Sequence, residues 1–518
     1  MRIGIDVGGT NTDAVLMQGL RVVAALKTAT SADILTGIRV AIGQLLAASQ
    51  VEPRRISSVT IGTTHFTNAV VSAIGLAPTA AIRLSLPSGS GVPPMSDWPP
   101  ALTAAVGPNI YEVSGGYEFD GRPIAELDFA QLSRIAADIG QRRIRSIALT
   151  CVFSPLKADS ELAAREFFQR ELPGIRISMS HEIGRVGLLE RENATIINAA
   201  LLELAEVATD AFRDSLRDSG IAAPLYLSQN DGTLMEVERA RRFPVTTFSS
   251  GPTNSMRGAA LLSGLKDCVV IDIGGTTCDI GVLSGGFPRQ ATTHVEIGGV
   301  RTNFRMPDLL SLGIGGGSLV DLDDLSVGPR SVGFRLPKDA LVFGGATLTA
   351  TDVAVAAGAV ELGDRQKVAH IDRERARAVL NRISERIAAA VDRVQTSREP
   401  LPVVLVGGGS ILVDRGLPGL GTIHRPPNAG VANAVGAAIA QVGAEVDRML
   451  TLDGKNRRAE LDAVKAEAVQ RVVASGADAS TVELVEIDEV PVAYLPGDCV
   501  RVRAKAVGDL KIQQEAPV

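Results

Sequence analysis

The sequence predicts an α/β protein of two related halves that close on a ligand between them, followed by a small α+β appendage. Three observations carry that expectation. The octet Asp-Val-Gly-Gly-Thr-Asn-Thr-Asp at residues 6–13 returns as Asp-Ile-Gly-Gly-Thr-Thr-Cys-Asp at 272–279. The offset is 266 for both the opening and the closing aspartates (272 − 6 and 279 − 13). Strand-like and helix-like segments alternate along the chain, and 518 residues are too many for one hydrophobic core.

Residues 2–6 and 268–272 are mostly apolar and β-branched, as are 14–17 and 280–283, so each octet reads as strand, glycine turn, strand. Between the octets, 32–48 reads as a helix, 58–61 as a short strand, 146–153 as a buried strand and 158–171 as an amphipathic helix. Residues 86–117, dense in proline and glycine, read as an irregular insertion. After the second octet, 372–393 reads as a long charged helix, 402–406 as a strand entering a glycine run, and 430–447 as an alanine- and glycine-rich helix. Beyond it, 458–475 is helical and 481–487 and 498–504 are strands. The expected division is 1–185, 186–450 and 451–518. A repeat spaced by a whole domain is no solenoid.

Hydrophobic residues make up 45% and charged residues 21%, the profile of an ordinary folded protein. The net charge of −6 is the reverse of the basic footprint of a nucleic-acid binder. Glycine is abundant at 53 residues and aromatics scarce at 3%, which favours tight turns and close backbone packing. Cys151, Cys268, Cys278 and Cys499 form no CxxC pair, which reads against a zinc site or a disulfide framework. The first residues lack a signal-peptide pattern, and no apolar run reaches the roughly 18 to 20 residues of a membrane span. The expected home is the cytoplasm.

A glycine pair after a strand lets backbone N–H groups converge on a phosphate, because no Cβ stands in the way. Gly8, Gly9, Thr10 and Asn11 suit that cradle in the first octet, and Gly274, Gly275, Thr276 and Thr277 in the second. Asp6 and Asp272 end their strands where a carboxylate can hold Mg²⁺ through water, so they are the candidate metal and catalytic residues. Asp13 and Asp279 are candidates for a base or an outer metal support, and equally for pins of their hairpins. The chain has no GxxxxGK[ST] loop, and its glycines do not open a helix as GxGxxG does. A third segment, Gly407-Gly408-Gly409-Ser410, ends a strand with backbone able to lie flat against an adenosine, with Gly436, Ala437 and Ala438 in the helix behind it.

These three segments resemble the phosphate-1, phosphate-2 and adenosine motifs of the actin/sugar-kinase/heat-shock-chaperone superfamily. The resemblance is closer still to the hydantoinase A/5-oxoprolinase family within it. The segment Ile61-Gly62-Thr63-Thr64-His65-Phe66-Thr67-Asn68-Ala69 is similar to that family's GTTxxTNA. Ser180-His181-Glu182-Ile183, followed by Glu190-Arg191-Glu192-Asn193-Ala194-Thr195-Ile196-Ile197-Asn198-Ala199, resembles its SxE…ERxxxTxxNA block. Gln229-Asn230-Asp231-Gly232 and Ser250-Gly251-Pro252 look like QSDG and SGP. Gly313-Ile314-Gly315-Gly316-Gly317-Ser318 resembles GAGGGS, and Gly344-Gly345 with Thr349-Ala350-Thr351-Asp352 resembles GGxxxTxTDA. There are departures. Thr253-Asn254-Ser255 stand where the family usually has Ala-Gly-Gly, Asp308-Leu309-Leu310 where it often has Asp-Ile-His, and a DPGPxCYG segment is missing.

The resemblance implies duplicated ribonuclease H-like halves with a nucleotide cleft between them, and ATP and Mg²⁺ as cofactors. It adds Gly315 and Gly316 to the cofactor-binding set. It implies that ATP phosphorylates the carbonyl oxygen of a cyclic amide, imide or related small molecule for hydrolysis, with a second protein subunit as partner. A homo-oligomer stays open. The alternatives are a small-molecule kinase and an ATP-driven conformational partner. A dehydratase activator would need interface cysteines for an iron–sulfur cluster, and four scattered cysteines argue against it.

Other polar residues carry two readings each. His65 is a cleft residue or a hydrogen-bonded loop histidine. His181, Glu182 and Glu190 are a conceivable metal set, with Arg191 an ion-pair partner. Asp231 and Asp352 are substrate contacts or turn formers. Cys278 reads as a packing residue, and Arg239, Arg241 and Arg242 as a solvated helix face. The five histidines, His65, His181, His294, His370 and His424, show no ligand spacing.

Overall fold

The structure, a computed structural model, describes residues 1–29, 34–184, 187–291, 295–304, 306–395, 399–451, 457–491 and 499–511. His294 and the expected 185/186 boundary lie outside the described residues.

The first octet folds as expected. Strand β1 (Arg2–Val7) turns through the glycines into β2 (Asn11–Gln18), with Asp6 opposite Asp13. A second turn leads to β3 (Arg21–Ala29), and helix α1 (Ile34–Ser49) crosses to β4 (Ser58–Thr63), which runs parallel to β1 and sets Asp6 beside Gly62. An inserted parallel sheet follows in the order β6-β5-β7-β8: β5 (Thr79–Leu86), β6 (Asn109–Ser114), β7 (Ser146–Cys151) and β8 (Arg176–Met179). All six residues of β7 are buried, as expected for a parallel strand covered on both faces. The stretch 86–117 is more ordered than its composition suggests. A helix runs from Pro100 to Val106 and β6 follows it, because proline is tolerated in a first helical turn, where its missing N–H has no partner to lose.

The 31-residue helix α2 (Leu188–Asp218) packs against β5, β7 and α1. Strands β9 (Leu225–Ser228) and β10 (Thr233–Glu236) then join the first sheet, β9 parallel to β4. After helix α3 (Ser250–Ser263) the pattern repeats. Strands β11 (Cys268–Ile273) and β12 (Cys278–Ser284) form the second hairpin, with Asp272 opposite Asp279. This second sheet holds β13 (Phe287–Pro288) and β14 (Leu309–Leu312) against β12; on its other side, helix α4 (Arg373–Val394) leads to β15 (Val403–Val406), parallel to β11, and then β16 (Ile423–His424).

Helix α5 (Ala432–Ile439) and α3 cross between the two sheets. Met256 and Ala259 of α3 pack with Val270 and Val406 of the second sheet, and Ala434, Val435 and Ala438 of α5 pack with Val15 and Met17 of the first. The crossing is backbone to backbone. A Cβ on Gly258 would strike the Ala432 carbonyl, one on Gly436 the Asn254 carbonyl, and one on Gly4 the Ala434 carbonyl.

The expected helix over 430–447 is corrected: α5 ends at Ile439 and β17 (Gln441–Thr451) begins two residues later. Val442 and Val446 are buried beneath α6 (Arg457–Ala474), and β17 pairs from Val442 to Thr451 with β19 (Cys499–Gly508), which also pairs with β18 (Glu483–Pro491). This tertiary pairing outweighs the helix propensity of the alanines before it. The appendage extends the first sheet, whose order is β18-β19-β17-β10-β9-β4-β1-β2-β3. Among the described residues no helix is long and apolar enough to cross a membrane.

Candidate functional site

The two octets meet. A Cβ on Gly275 would collide with the Thr10 side chain, and one on Gly9 would lie 3.9 Å from Thr276 Oγ1. Residues 315–317 lie along the second turn, where Gly316 N–H donates to the Gly274 carbonyl at 3.1 Å and Gly317 N–H to the Gly275 carbonyl at 2.7 Å. The third glycine segment flanks it, since a Cβ on Gly407 would strike Asp272 Oδ1 and one on Gly409 would lie 2.6 Å from the Gly274 carbonyl oxygen. Gly62 does for Asp6 what Gly407 does for Asp272, because a Cβ there would hit Asp6 Oδ1. Both carboxylates therefore lie flat against backbone that only glycine leaves open.

Asp6 and Asp13 are almost fully buried. Asn254 Nδ2 donates to Asp6 Oδ1 at 3.3 Å, and Asn433 Nδ2 donates to Asp6 Oδ2 at 3.0 Å and to Asp13 Oδ2 at 2.9 Å. The Lys27 ammonium pairs with Asp13 and lies 3.9 Å from the Cβ position of Gly408, so it joins the first hairpin to the third glycine segment. Ser255 bonds to Asp272, and Ser311 and Thr277 to Asp279. Burial pushes the Asp6 carboxyl up to about 6; the Asp13 charge pushes it the same way, while Asn254, Asn433 and Lys27 oppose the rise. Burial pushes Asp272 up to about 7, with Ser255 opposing and the charges of Asp279 and Asp6 adding to the rise. Asp13 and Asp279 are also raised, mainly by burial.

Thr10 Oγ1, Ser250 Oγ and Asn254 Oδ1 are buried with no hydrogen-bond partner. Buried polar atoms are normally satisfied. Orphaned ones on the elements around Asp6 suit a polar ligand with its own oxygens, such as a phosphate with a hydrated cation. Among the described residues no group of three or more His, Cys, Asp or Glu side chains is placed to hold a metal. A Mg²⁺ here would rest on Asp6 and Asp272 and otherwise on water and phosphate oxygens, a usual manner for that ion. Beside the third glycine segment, where Arg425 Nη1 donates to the Ser410 carbonyl at 3.2 Å, a cavity of about 600 Å³ is lined by Ser384, Asp414 and Arg425.

Lys27, Asn254, Asn433 and Ser255 are absent from the sequence-derived candidates. Asn254 and Ser255 had a signal, because they stand where the resembling family usually has glycines. Other candidates settle elsewhere. His65 packs edge-on against Phe66, and its backbone N–H donates to Thr63 Oγ1 at 3.1 Å. Asp231 Oδ1 accepts from the Thr233 N–H and hydroxyl while Oδ2 pairs with Lys505 at 2.8 Å, and Asp352 closes a capping box with Thr349. Arg191 bonds to Ser180 Oγ and the Cys151 carbonyl. Arg241 reaches Asp210 and Glu206, while Cys278 is fully buried.

Residues 2–172 match the model of the hydantoinase/oxoprolinase N-terminal region and 191–396 that of hydantoinase/oxoprolinase. The chain belongs to the hydantoinase/oxoprolinase family. Within that family it is 26% identical over 379 residues to the caprolactamase subunit alpha of Pseudomonas jessenii, covering 69% of this chain and 54% of that one. It is 28% identical over 248 residues to the acetophenone carboxylase gamma subunit of Aromatoleum aromaticum, covering 46% of this chain and 34% of the relative. The chain thus spans about half or less of the length of these curated relatives. The crystal structure of the ATP-dependent caprolactamase from Pseudomonas jessenii superposes with a TM-score of 0.80 at 18% identity, over 100% of this chain and 89% of that one, which shows a shared fold.

Proposed function

We propose that this hydantoinase/oxoprolinase-family chain binds Mg-ATP between its two aspartate–glycine hairpins and uses it to phosphorylate the carbonyl oxygen of a cyclic amide, imide or related small molecule. The observation that carries the reading is the convergence of both octets, residues 315–317 and residues 407–409 around Asp6 and Asp272. The names of two relatives, an ATP-dependent caprolactamase and a carboxylase gamma subunit, support the substrate class and a partner subunit.

An unstrained amide is a poor electrophile, and O-phosphorylation turns its oxygen into a leaving group. That transfer needs mainly positioning and charge neutralisation. The glycine turns supply backbone donors, Thr10 and Thr276 add hydroxyls, and Lys27 adds a cation beside the third glycine segment. A bound Mg²⁺ would neutralise phosphate charge, with Asp6 and Asp272 holding it and Asn254 and Asn433 orienting Asp6. The nucleoside would lie along the third glycine segment, toward the cavity whose Arg425 donates to the Ser410 carbonyl. No water-activating cluster accompanies the aspartates among the described residues, so the chain alone should turn over ATP slowly and open an amide ring poorly. The test measures ATP turnover and ring opening against lactams, hydantoins and carboxylates, with and without proteins encoded beside this one. Amide-stimulated turnover with efficient opening only when a partner is added is expected. A stable phosphate ester as product would instead make it a kinase, and rapid ring opening by the single chain would place the hydrolytic machinery here.

A further inference from the structure

As they stand, the two phosphate turns are shut against each other. A Cβ on Gly275 would strike the Thr10 side chain, and one on Gly315 would lie 2.5 Å from the Thr276 nitrogen, closing the other flank. Segments in van der Waals contact leave no passage for a phosphate. A nucleotide held by both turns therefore enters only when the halves separate. The contacts of α3 decide how readily they do, and its two sides hold on by different chemistry. Toward the second sheet the hold is apolar, with Met256 and Ala259 buried among Val270, Leu283 and Val406, and Ser255 bonded to Asp272. Toward the first sheet it is polar. Asn254 Nδ2 donates to Asp6 Oδ1 at 3.3 Å, and Thr253 Oγ1 lies 3.1 Å from the Asn230 carbonyl oxygen, sharing its proton with the Ser249 carbonyl at 3.0 Å. A hydrogen bond broken in water exchanges one partner for another, whereas stripped apolar side chains expose surface with no such exchange. Helix α3 therefore stays with the second half and parts from the first at Thr253 and Asn254.

The rest of the junction suits a pivot. At the crossing of α3 and α5, Gly258 and Gly436 have no side chains to interlock. Beside them Arg257 lies over the Phe287 ring at 4.0 Å and donates to the Gly286 carbonyl at 3.0 Å and to Gln441 Oε1 at 3.2 Å. It fastens α3 to the turn after β12 and to the start of β17. The excursion 295–302 between β13 and β14 buries Ile297 and Val300 in the core of the first half, a tether that confines separation to a rotation about the crossing. Asn254 is fully buried, and its Nδ2 lies 2.5 Å from the Cβ position of Gly62, so it fills the gap between α3 and β4. Its bond goes to a carboxylate and is about twice as strong as one between neutral groups, which outweighs the Asn254 Oδ1 buried without a partner. We propose that Asn254, with Thr253, is a latch that keeps the cleft shut, so that nucleotide enters only through the open fraction of molecules. In the resembling family a glycine usually stands at this position, and a glycine cannot make the bond. The inference rests on the nucleotide-binding reading above.

The experiment is run at about pH 8, above the range in which Asp6 titrates. The full chain is mixed rapidly with Mg²⁺ and N-methylanthraniloyl AMP-PNP, a fluorescent, non-hydrolysable ATP analogue, over a range of concentrations. The observed association rate of the wild type should level off at the rate of opening. In Asn254→Gly the plateau should rise about five- to tenfold, the factor of one hydrogen bond. Thr253→Val touches neither aspartate and should raise it about two- to threefold, which separates release of the latch from loss of support to Asp6. Hydrogen exchange without nucleotide reads the latch alone: the amides of residues 8–12 and 274–277 should exchange faster in both variants. A wild-type rate that climbs linearly with no plateau, or a plateau and an exchange rate unchanged in Asn254→Gly, overturns the latch. Faster exchange of the turns in Asn254→Gly, with the analogue bound by neither protein, keeps the latch and removes the nucleotide reading.

Discussion

A carboxylate removed from water is costly to keep charged unless donors or a cation face it. Asp6 has two asparagine amides, and its carboxyl still titrates near 6. Asp6→Asn and Asp272→Asn should each abolish ATP turnover, with circular dichroism and melting cooperativity unchanged; normal turnover in both would end the two-hairpin reading. The raised carboxyls also predict a pH dependence. An unfolded aspartate titrates near 4, so the folded, nucleotide-free chain binds these protons more tightly than the unfolded one. The favourable contribution is complete below about pH 4 and is lost as pH rises through about 6 and 7. Melting temperature without nucleotide should therefore fall less between pH 5.5 and 8 in Asp6→Asn than in the wild type, and parallel profiles would refute the shift. The four aspartates were legible in the sequence because spacing marks them. Lys27 and Asn433 were not, since a lysine on a strand and an asparagine in an alanine-rich helix carry no pattern, and Asn433 reaches Asp6 across 427 residues.

At the scale of elements, the crossing of α3 and α5 decides where both asparagines stand. Because Gly258 and Gly436 let the two backbones touch, Asn254 from one helix and Asn433 from the other arrive at the same carboxylate. Gly258→Ala should push the helices apart and cost about 1 to 3 kcal/mol of stability, the usual range for overpacking. It should also weaken Mg-nucleotide binding, although residue 258 touches no ligand. A variant that loses stability but binds nucleotide normally would separate the helix crossing from the site. Strand–turn–strand order at both octets was readable from β-branched runs around paired glycines. The start of β17 was not, because 440 to 447 continue an alanine- and glycine-rich stretch, and only pairing with a strand near residue 500 makes them extended.

For the whole molecule, three glycine segments far apart in sequence become neighbours only because two sheets face each other across α3 and α5. A nucleotide held by both hairpins would tie the halves together. At a hundredfold excess over its dissociation constant it should add about 2.7 kcal/mol of stability by mass action. A melting temperature that stays flat at saturating Mg-ATP would oppose that picture. The duplication was visible as the 266-residue offset. The attachment of the last seventy residues to the first sheet was not, because it depends on an edge of β10 that pairs with β17 only at Thr233 and Leu234.

That attachment sets an order of events during synthesis. The first sheet is begun by residue 2 and reaches β10 by residue 236, yet the strands that cover its open side end at residue 508. At 5 to 20 residues per second, a ribosome needs roughly 15 to 55 seconds to make the intervening stretch. Until β17 emerges at residues 441–451 β10 presents an uncovered edge, and until β19 follows β17 does, the kind of surface that pairs with stray strands. The nascent chain is therefore most exposed to misassociation after its first half has folded and before its last strands emerge.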